Sequence, residues 1–180
     1  MIVIISGTNR AGSNTLKVAE LAREQLVAAG EKVVLVDLRK LPPQLFTPTV
    51  YSDKPAEFEP FQKAILEADG ILTVTPEYNG SYPGILKYFI DMLRFPDSLV
   101  DMPAAFIGLA SGAWGGLRSV EQLEMVFHYR HAHLFGRRLF LKGISKLLDE
   151  EGRLVDPEMA RRLEELVTGF ALFCRRLRGE

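Results

Sequence analysis

The sequence has a single cysteine, Cys174, in 180 residues, so an internal disulfide is impossible and no cysteine pair remains for a zinc or thiol-redox motif. A reducing, cytoplasmic setting is the expectation. Long apolar runs are equally scarce. Ile2 to Ile5 is broken by Ser6-Gly7 and lacks a basic leader, which is too short for a membrane span or a signal-peptide core and reads as a buried strand. Neither sign of charge dominates, with 22 basic against 23 acidic residues. A chain so close to neutral has no field to gather a polyanion, so nucleic acid is not an expected partner, and no membrane is either. The histidines His128, His131 and His133 cluster in sequence without a cysteine or carboxylate at ligand spacing, so no metal is expected and a position near a helix end suits them better. Also missing are GxxxxGK[ST] and GxGxxG, which excludes a Walker-type nucleotide loop and a dinucleotide fingerprint.

What remains is an ordinary globular composition, 47% hydrophobic and 25% charged, in a length suited to one domain over residues 1–180. Strand and helix patterns alternate along it. Short β-branched or apolar runs at 2–5, 32–38, 71–75 and 104–109 read as strands, with a more modest one at 138–141. Helical spacing runs from Ser13 or Asn14, plausible N-caps, to Gly30, then over 61–68, 84–93, 117–130 and 157–177. Residues 41–60 form a long proline-bearing connection. Strict alternation implies right-handed crossovers and a parallel sheet covered on both faces. The expected fold is thus α/β, a flavodoxin-like three-layer sandwich whose five-stranded parallel sheet has the order 2-1-3-4-5. Ligands bind such sheets at the carboxyl ends of the strands where the winding reverses, so the loops after Ile5, Thr75 and Ala110 should converge.

The first of these loops, Gly7-Thr8-Asn9-Arg10-Ala11-Gly12-Ser13-Asn14, joins a buried strand to a helix. Unpaired N–H groups and the positive end of the helix dipole favour an anion there. Thr8, Ser13 and Thr15 offer hydroxyls and Arg10 a guanidinium. With the two longer phosphate motifs excluded, a monophosphate suits the spot; a plain N-capped tight turn explains the same loop equally well.

The second loop is more specific. Its sequence, TPEYNGSYPGILKYFID from Thr75 to Asp91, closely resembles the PEYNGSxPGxLKNxID stretch of the NAD(P)H-dependent FMN reductase family, which includes flavin, quinone, azo-dye and chromate reductases. The first loop is similar to that family's GSxRxxSxN phosphate loop, with Thr8 where serine is usual. The third loop, Ser111-Gly112-Ala113-Trp114-Gly115-Gly116, looks like its SGGxxGG loop. The likeness spans most of the chain. Two departures are visible: Tyr88 stands where asparagine is common, and residues 44–53 are longer and richer in proline than the family pattern.

The resemblance implies FMN as cofactor and NADPH or NADH as cosubstrate, with hydride passing to flavin N5 and on to a small-molecule electron acceptor in alternating half-reactions. It places the flavin phosphate on Thr8, Arg10, Ser13, Asn14 and Thr15, the ring against Pro76, Glu77, Tyr78 and Asn79, and its far edge against Ser111, Gly112, Trp114 and Gly115. Trp114 either shields the ring or packs in a subunit contact. No side chain is assigned as catalytic acid or base. The family's habit of forming a homodimer or homotetramer with the site near an interface implies that Phe46 and Tyr51 cover a partner's flavin. The competing class is an electron carrier of the flavodoxin kind, without its own NAD(P)H turnover. Such carriers are usually strongly acidic, unlike this chain. Outside the loops, Cys174 reads as a packing residue and Lys87 with Asp91 as a structural i,i+4 pair.

Overall fold

Alternation along each strand decides the layers. The computed structural model describes residues 1–179. In it β1 (Ile2–Ser6) sends Val3 and Ile5 into one apolar cluster, and Ile2 and Ile4 into a second on the opposite face. β2 (Val33–Asp37), β3 (Gly70–Pro76), β4 (Pro103–Ala110) and β5 (His133–Lys142) complete a parallel sheet of order β2-β1-β3-β4-β5, as expected. α1 (Asn14–Ala28) and α5 (Pro157–Arg178) cover the face that carries Ile2 and Ile4. α2 (Glu59–Leu66), α3 (Gly84–Met92) and α4 (Leu117–Tyr129) cover the other. The helices that follow β1 and β3 therefore leave toward opposite faces although the two strands are neighbours.

Two segments differ from the sequence reading. β5 spans ten residues rather than 138–141. It is an outer strand on which Leu139 and Leu141 are buried while Gly136, Arg137 and Arg138 are exposed, so it shows neither an apolar run nor clean alternation. Its charged middle also blocks further pairing at the sheet edge. The proline-bearing connection is ordered by short 3-10 turns at Pro43–Phe46, Pro48–Tyr51 and Ala56–Phe58, each of which buries one apolar residue: Leu45, Val50 and Phe58. Tyr88 holds it. Its hydroxyl donates to the Leu45 carbonyl at 2.5 Å, and its ring stacks on Phe46 with centroids 5.1 Å apart. Burial raises the Tyr88 pKa, which keeps the phenol a donor. The unusual tyrosine and the unusual loop are thus one feature.

β2 ends where Asp37 caps the next turn. Burial alone would raise its pKa, but the hydrogen bonds and charge of Arg39 hold it below the usual carboxylate range. Among the described residues no helix is long and apolar enough to cross a membrane.

α5 lies directly on the sheet: a Cβ added at Gly70 would stand 2.4 Å from Cys174 Sγ. Burial pushes the Cys174 thiol up to about 12, so almost no thiolate exists at neutral pH. A disulfide reagent such as DTNB should label Cys174 only as fast as the chain unfolds, and with one equivalent in denaturant. Prompt labelling in native buffer would show that α5 opens on its own.

Candidate functional site

Because the crossovers after β1 and β3 diverge, a crevice opens at the carboxyl edge of the sheet between them. Gly7 starts it. Its amide donates to the Val74 carbonyl at 2.8 Å, extending the β1–β3 ladder past Ser6, and a Cβ here would stand 2.8 Å from that oxygen. The chain then turns through Gly12, at φ 63°, to Ser13, whose Oγ caps α1 by accepting from the Leu16 amide at 3.2 Å. The amides of Ala11, Gly12 and Ser13 have no partner among the described residues, and those of Asn14 and Thr15, in the first turn of α1, have no intrahelical acceptor. These consecutive donors line the crevice beside the exposed Arg10.

Thr8 does something different. It is 1% exposed, and its Oγ1 accepts from the Arg10 amide at 3.3 Å and shares a hydrogen bond with the Tyr78 hydroxyl at 3.1 Å. It therefore stitches the first loop to the second instead of facing the crevice.

In the second loop the Glu77 amide donates to the Leu109 carbonyl at 3.1 Å, and Tyr78 and Ser81 exchange both backbone bonds, at 2.9 and 3.1 Å, around Asn79 (φ 53°) and Gly80 (φ 75°). Positive φ at both central residues makes this a type I′ turn, for which Asn-Gly is the favoured pair. The amides of Glu77 and Tyr78 are thus engaged within the protein, and the Asn79 amide is left without a partner among the described residues. α4 props the whole loop. Ser119 Oγ donates to the Pro76 carbonyl at 3.0 Å, Gln122 Nε2 donates to the Gly80 carbonyl at 2.8 Å, and Ser81 Oγ donates to Gln122 Oε1 at 2.7 Å. Arg118 pairs with Glu77 at 3.4 Å.

The third loop is fitted to the sheet by its glycines. A Cβ at Gly116 would lie 2.5 Å from the Leu109 amide, and one at Gly115 would lie 2.8 Å from the Lys142 amide. Gly115 therefore meets β5. Trp114 is 60% exposed at the rim, with the Arg118 guanidinium 5.9 Å from its ring centroid.

The three loops enclose a crevice of about 350 Å³. It brings together Arg10, Ser13, Asn14 and Thr15 from the first loop, Pro76, Glu77 and Tyr78 from the second, and Ser111 from the third. Thr8, Asn79, Gly112, Trp114 and Gly115 stand outside its lining. Leu109, Ala110, Ile144 and Ser145 line it as well and were not expected. The signal for the last two was Gly143, a turn residue at φ 62° directly after β5; its meaning depends on knowing where that weakly patterned strand ends. Elsewhere, His128 lies in the last turn of α4 and His133 is 3.4 Å from Asp101. Among the described residues no group of three or more His, Cys, Asp or Glu is placed to hold a metal ion.

Comparison with known proteins agrees with this geometry. A family model described as NADPH-dependent FMN reductase matches residues 1–145. An NAD(P)H-dependent FMN reductase of Pseudomonas aeruginosa is 31% identical over 97% of this chain and 95% of its own length. A quinone reductase of Escherichia coli K12 is 30% identical over 98% of this chain and 96% of its own length. Among solved structures, the flavoenzyme NAD(P)H:(acceptor) oxidoreductase FerB from Paracoccus denitrificans has a TM-score of 0.84 at 22% identity, covering 97% of both chains. Flavodoxin 2 from Bacillus cereus has a TM-score of 0.67 at 21% identity, covering 96% of this chain and 98% of its own. The last two establish likeness of fold.

The Thr8–Tyr78 stitch is measurable. In a double-mutant cycle by urea unfolding, Thr8→Val and Tyr78→Phe should couple by about 0.5–1.5 kcal/mol, the net worth of one hydrogen bond. Fully additive costs would mean that the two loops are not tied there.

Proposed function

The chain belongs to the NADPH-dependent FMN reductase family, and from that premise we propose that it is an FMN-dependent oxidoreductase that takes hydride from NADPH or NADH and reduces a small acceptor: a flavin, quinone, azo compound or metal oxyanion. The observation that carries this reading is the row of unpaired amides from Ala11 to Thr15 at the β1–β3 crevice. That donor set fits a terminal phosphate, and the crevice continues from it to the second and third loops, as a phosphate-bearing ring system requires.

In this reading Arg10, Ser13, Asn14 and Thr15 hold the phosphate. Ser13 Oγ already accepts from Leu16, so its hydroxyl proton is free to donate outward. Thr8 positions the loop from behind. Pro76, Glu77 and Tyr78 border the ring site, with the Asn79 amide as the donor left free for its polar edge, and Ser111, Gly112, Trp114 and Gly115 close the far end. Once bound, the flavin supplies the hydride-accepting and electron-donating chemistry. The protein's part is to fix its position and keep one face open for donor and acceptor in turn, which gives ping-pong kinetics. No side chain serves as general acid or base. The working unit is a homodimer or homotetramer in the cytoplasm.

Two measurements test the reading. Arg10→Ala should raise the FMN Kd by up to about fivefold, the roughly 1 kcal/mol an exposed ion pair contributes; an unchanged Kd counts against the phosphate assignment. Anaerobic stopped-flow mixing of the FMN-loaded protein with NADPH or NADH should bleach the flavin absorbance with no helper reductase. Absence of bleaching with both would move the protein to the electron-carrier class.

A further inference from the structure

Among the described residues that line the crevice, Glu77 is the one acidic residue and Arg10 the one basic residue. A carboxylate is the wrong charge beside a row of free donors that selects an anion. The Glu77 side chain is only 12% exposed, and its Oε2 is buried without a partner. Arg118 Nη1 donates to its Oε1 at 3.4 Å, and among the described residues Arg118 is its one ion-pair partner.

Helix stability does not explain that arginine. Arg118 lies in the first turn of α4, where the positive end of the helix dipole disfavours a cation; the turn holds no acidic residue, and Gly116 caps it without a side-chain bond. The compensating charge comes from the second loop. The Arg118 stem crosses the Asn79-Gly80 turn, its Cδ 3.8 Å from where a Cβ on Gly80 would stand, and its guanidinium lies 5.9 Å from the Trp114 ring centroid. One side chain thus spans from Glu77 and Gly80 in the second loop to Trp114 in the third. One turn on, Gln122 holds the Gly80 carbonyl and faces the open groove between α3 and α4. Gln122 is neutral, so only Arg118 answers the charge of Glu77.

We infer that Arg118 is a positioning residue of the flavin site, which neutralises Glu77 and straps the second loop to the third at the rim of the crevice. The inference rests on the function proposed above. FMN brings a negative phosphate, and its ring gains negative charge on two-electron reduction. An unpaired Glu77 carboxylate beside the ring opposes both, and opposes the reduced form more. Arg118 is not part of the crevice lining, so it acts on the flavin through Glu77 and Trp114.

The test uses the full chain with Arg118→Gln, Glu77→Gln, the double variant and Arg118→Lys. It reads the FMN Kd, the flavin midpoint potential by spectroelectrochemistry, and the emission of Trp114, the sole tryptophan. The Arg118 side chain is 54% exposed, so its loss empties no core. Arg118→Gln should raise the Kd of oxidised FMN about fivefold, as for loss of one exposed ion pair, and lower the potential. Each tenfold by which reduced FMN is weakened beyond oxidised FMN is about 30 mV for a two-electron couple. Glu77→Gln should raise the potential, the double variant should return it to near the wild-type value, and Arg118→Lys should hold it there. Opposite shifts that cancel mark a charge pair, whereas purely structural losses add. An unchanged Kd and potential in Arg118→Gln, or a double variant as low in potential as Arg118→Gln alone, overturns the inference. In the flavin-free chain Arg118→Gln and Glu77→Gln should each shift the Trp114 emission, and unshifted emission in either removes the strap. A wild type that binds no FMN defeats the functional reading, and the strap then stands or falls on that emission.

Discussion

The crevice exists because three backbones approach one another more closely than side chains permit. Gly7 lies against the Val74 carbonyl, Gly108 faces the carbonyls of Gly115 and Gly116, and Gly116 meets the Leu109 amide, all at separations a Cβ would violate. The contacts prolong the β1–β3 and β3–β4 ladders by one step each, through the Gly7–Val74 and Glu77–Leu109 hydrogen bonds. The loops are consequently parts of the sheet's end rather than flexible additions to it. Their rigidity follows from backbone geometry, which is the arrangement a site needs if its own donors are to remain unpaired yet fixed.

α4 carries a large share of this order. One turn of it supplies Ser119 beneath Pro76, Gln122 beneath Gly80 and Arg118 beside Glu77. Its apolar stripe, Val120, Leu123 and Phe127, is buried against the sheet. One helix thus anchors the core, braces the second loop and presents Met125 and Tyr129 outward. A disturbance on its outer face has a short route to the crevice, because Gln122 faces the outer groove and bonds the Gly80–Ser81 turn that follows the crevice residues Glu77 and Tyr78.

Legibility in the sequence followed burial. β1 and β3 are buried on both faces and read as short β-branched, largely apolar runs, so the alternation, the strand order and the meeting point of three loops could be inferred from pattern alone. β5 could not, since an outer strand with exposed Gly136, Arg137 and Arg138 carries no period, and the contribution of Ile144 and Ser145 was lost with it. Residue types also conceal which groups are already engaged. Thr8 reads as a hydroxyl for a ligand and is instead committed to Tyr78 and the Arg10 amide; Glu77 and Tyr78 lie in the resembling stretch, yet their amides serve the protein. The α3–α4 groove was hidden for a related reason. Helical spacing on α4 marks the buried stripe, and Met125 and Tyr129 fall outside it, where a single apolar residue means little until the structure shows them gathered round a buried Arg130.

Magnitudes decide which part of the first loop would contribute most to holding an anion. Arg10 is exposed, and an ion pair in that setting contributes up to about 1 kcal/mol. The α1 dipole adds about 0.3–1 kcal/mol. Hydrogen bonds to a charged group contribute about 1.5–3 kcal/mol each, and the stretch from Ala11 to Thr15 presents several such donors with no competing acceptor. The amides outweigh the guanidinium. Anion binding here would therefore be a property of the backbone path, set by Gly7 and Gly12 and locked by Thr8, with Arg10 adjusting its strength. That explains how a loop readable as a plain capped turn can also be a phosphate site: the cap engages the Leu16 amide and leaves the preceding donors turned to the crevice.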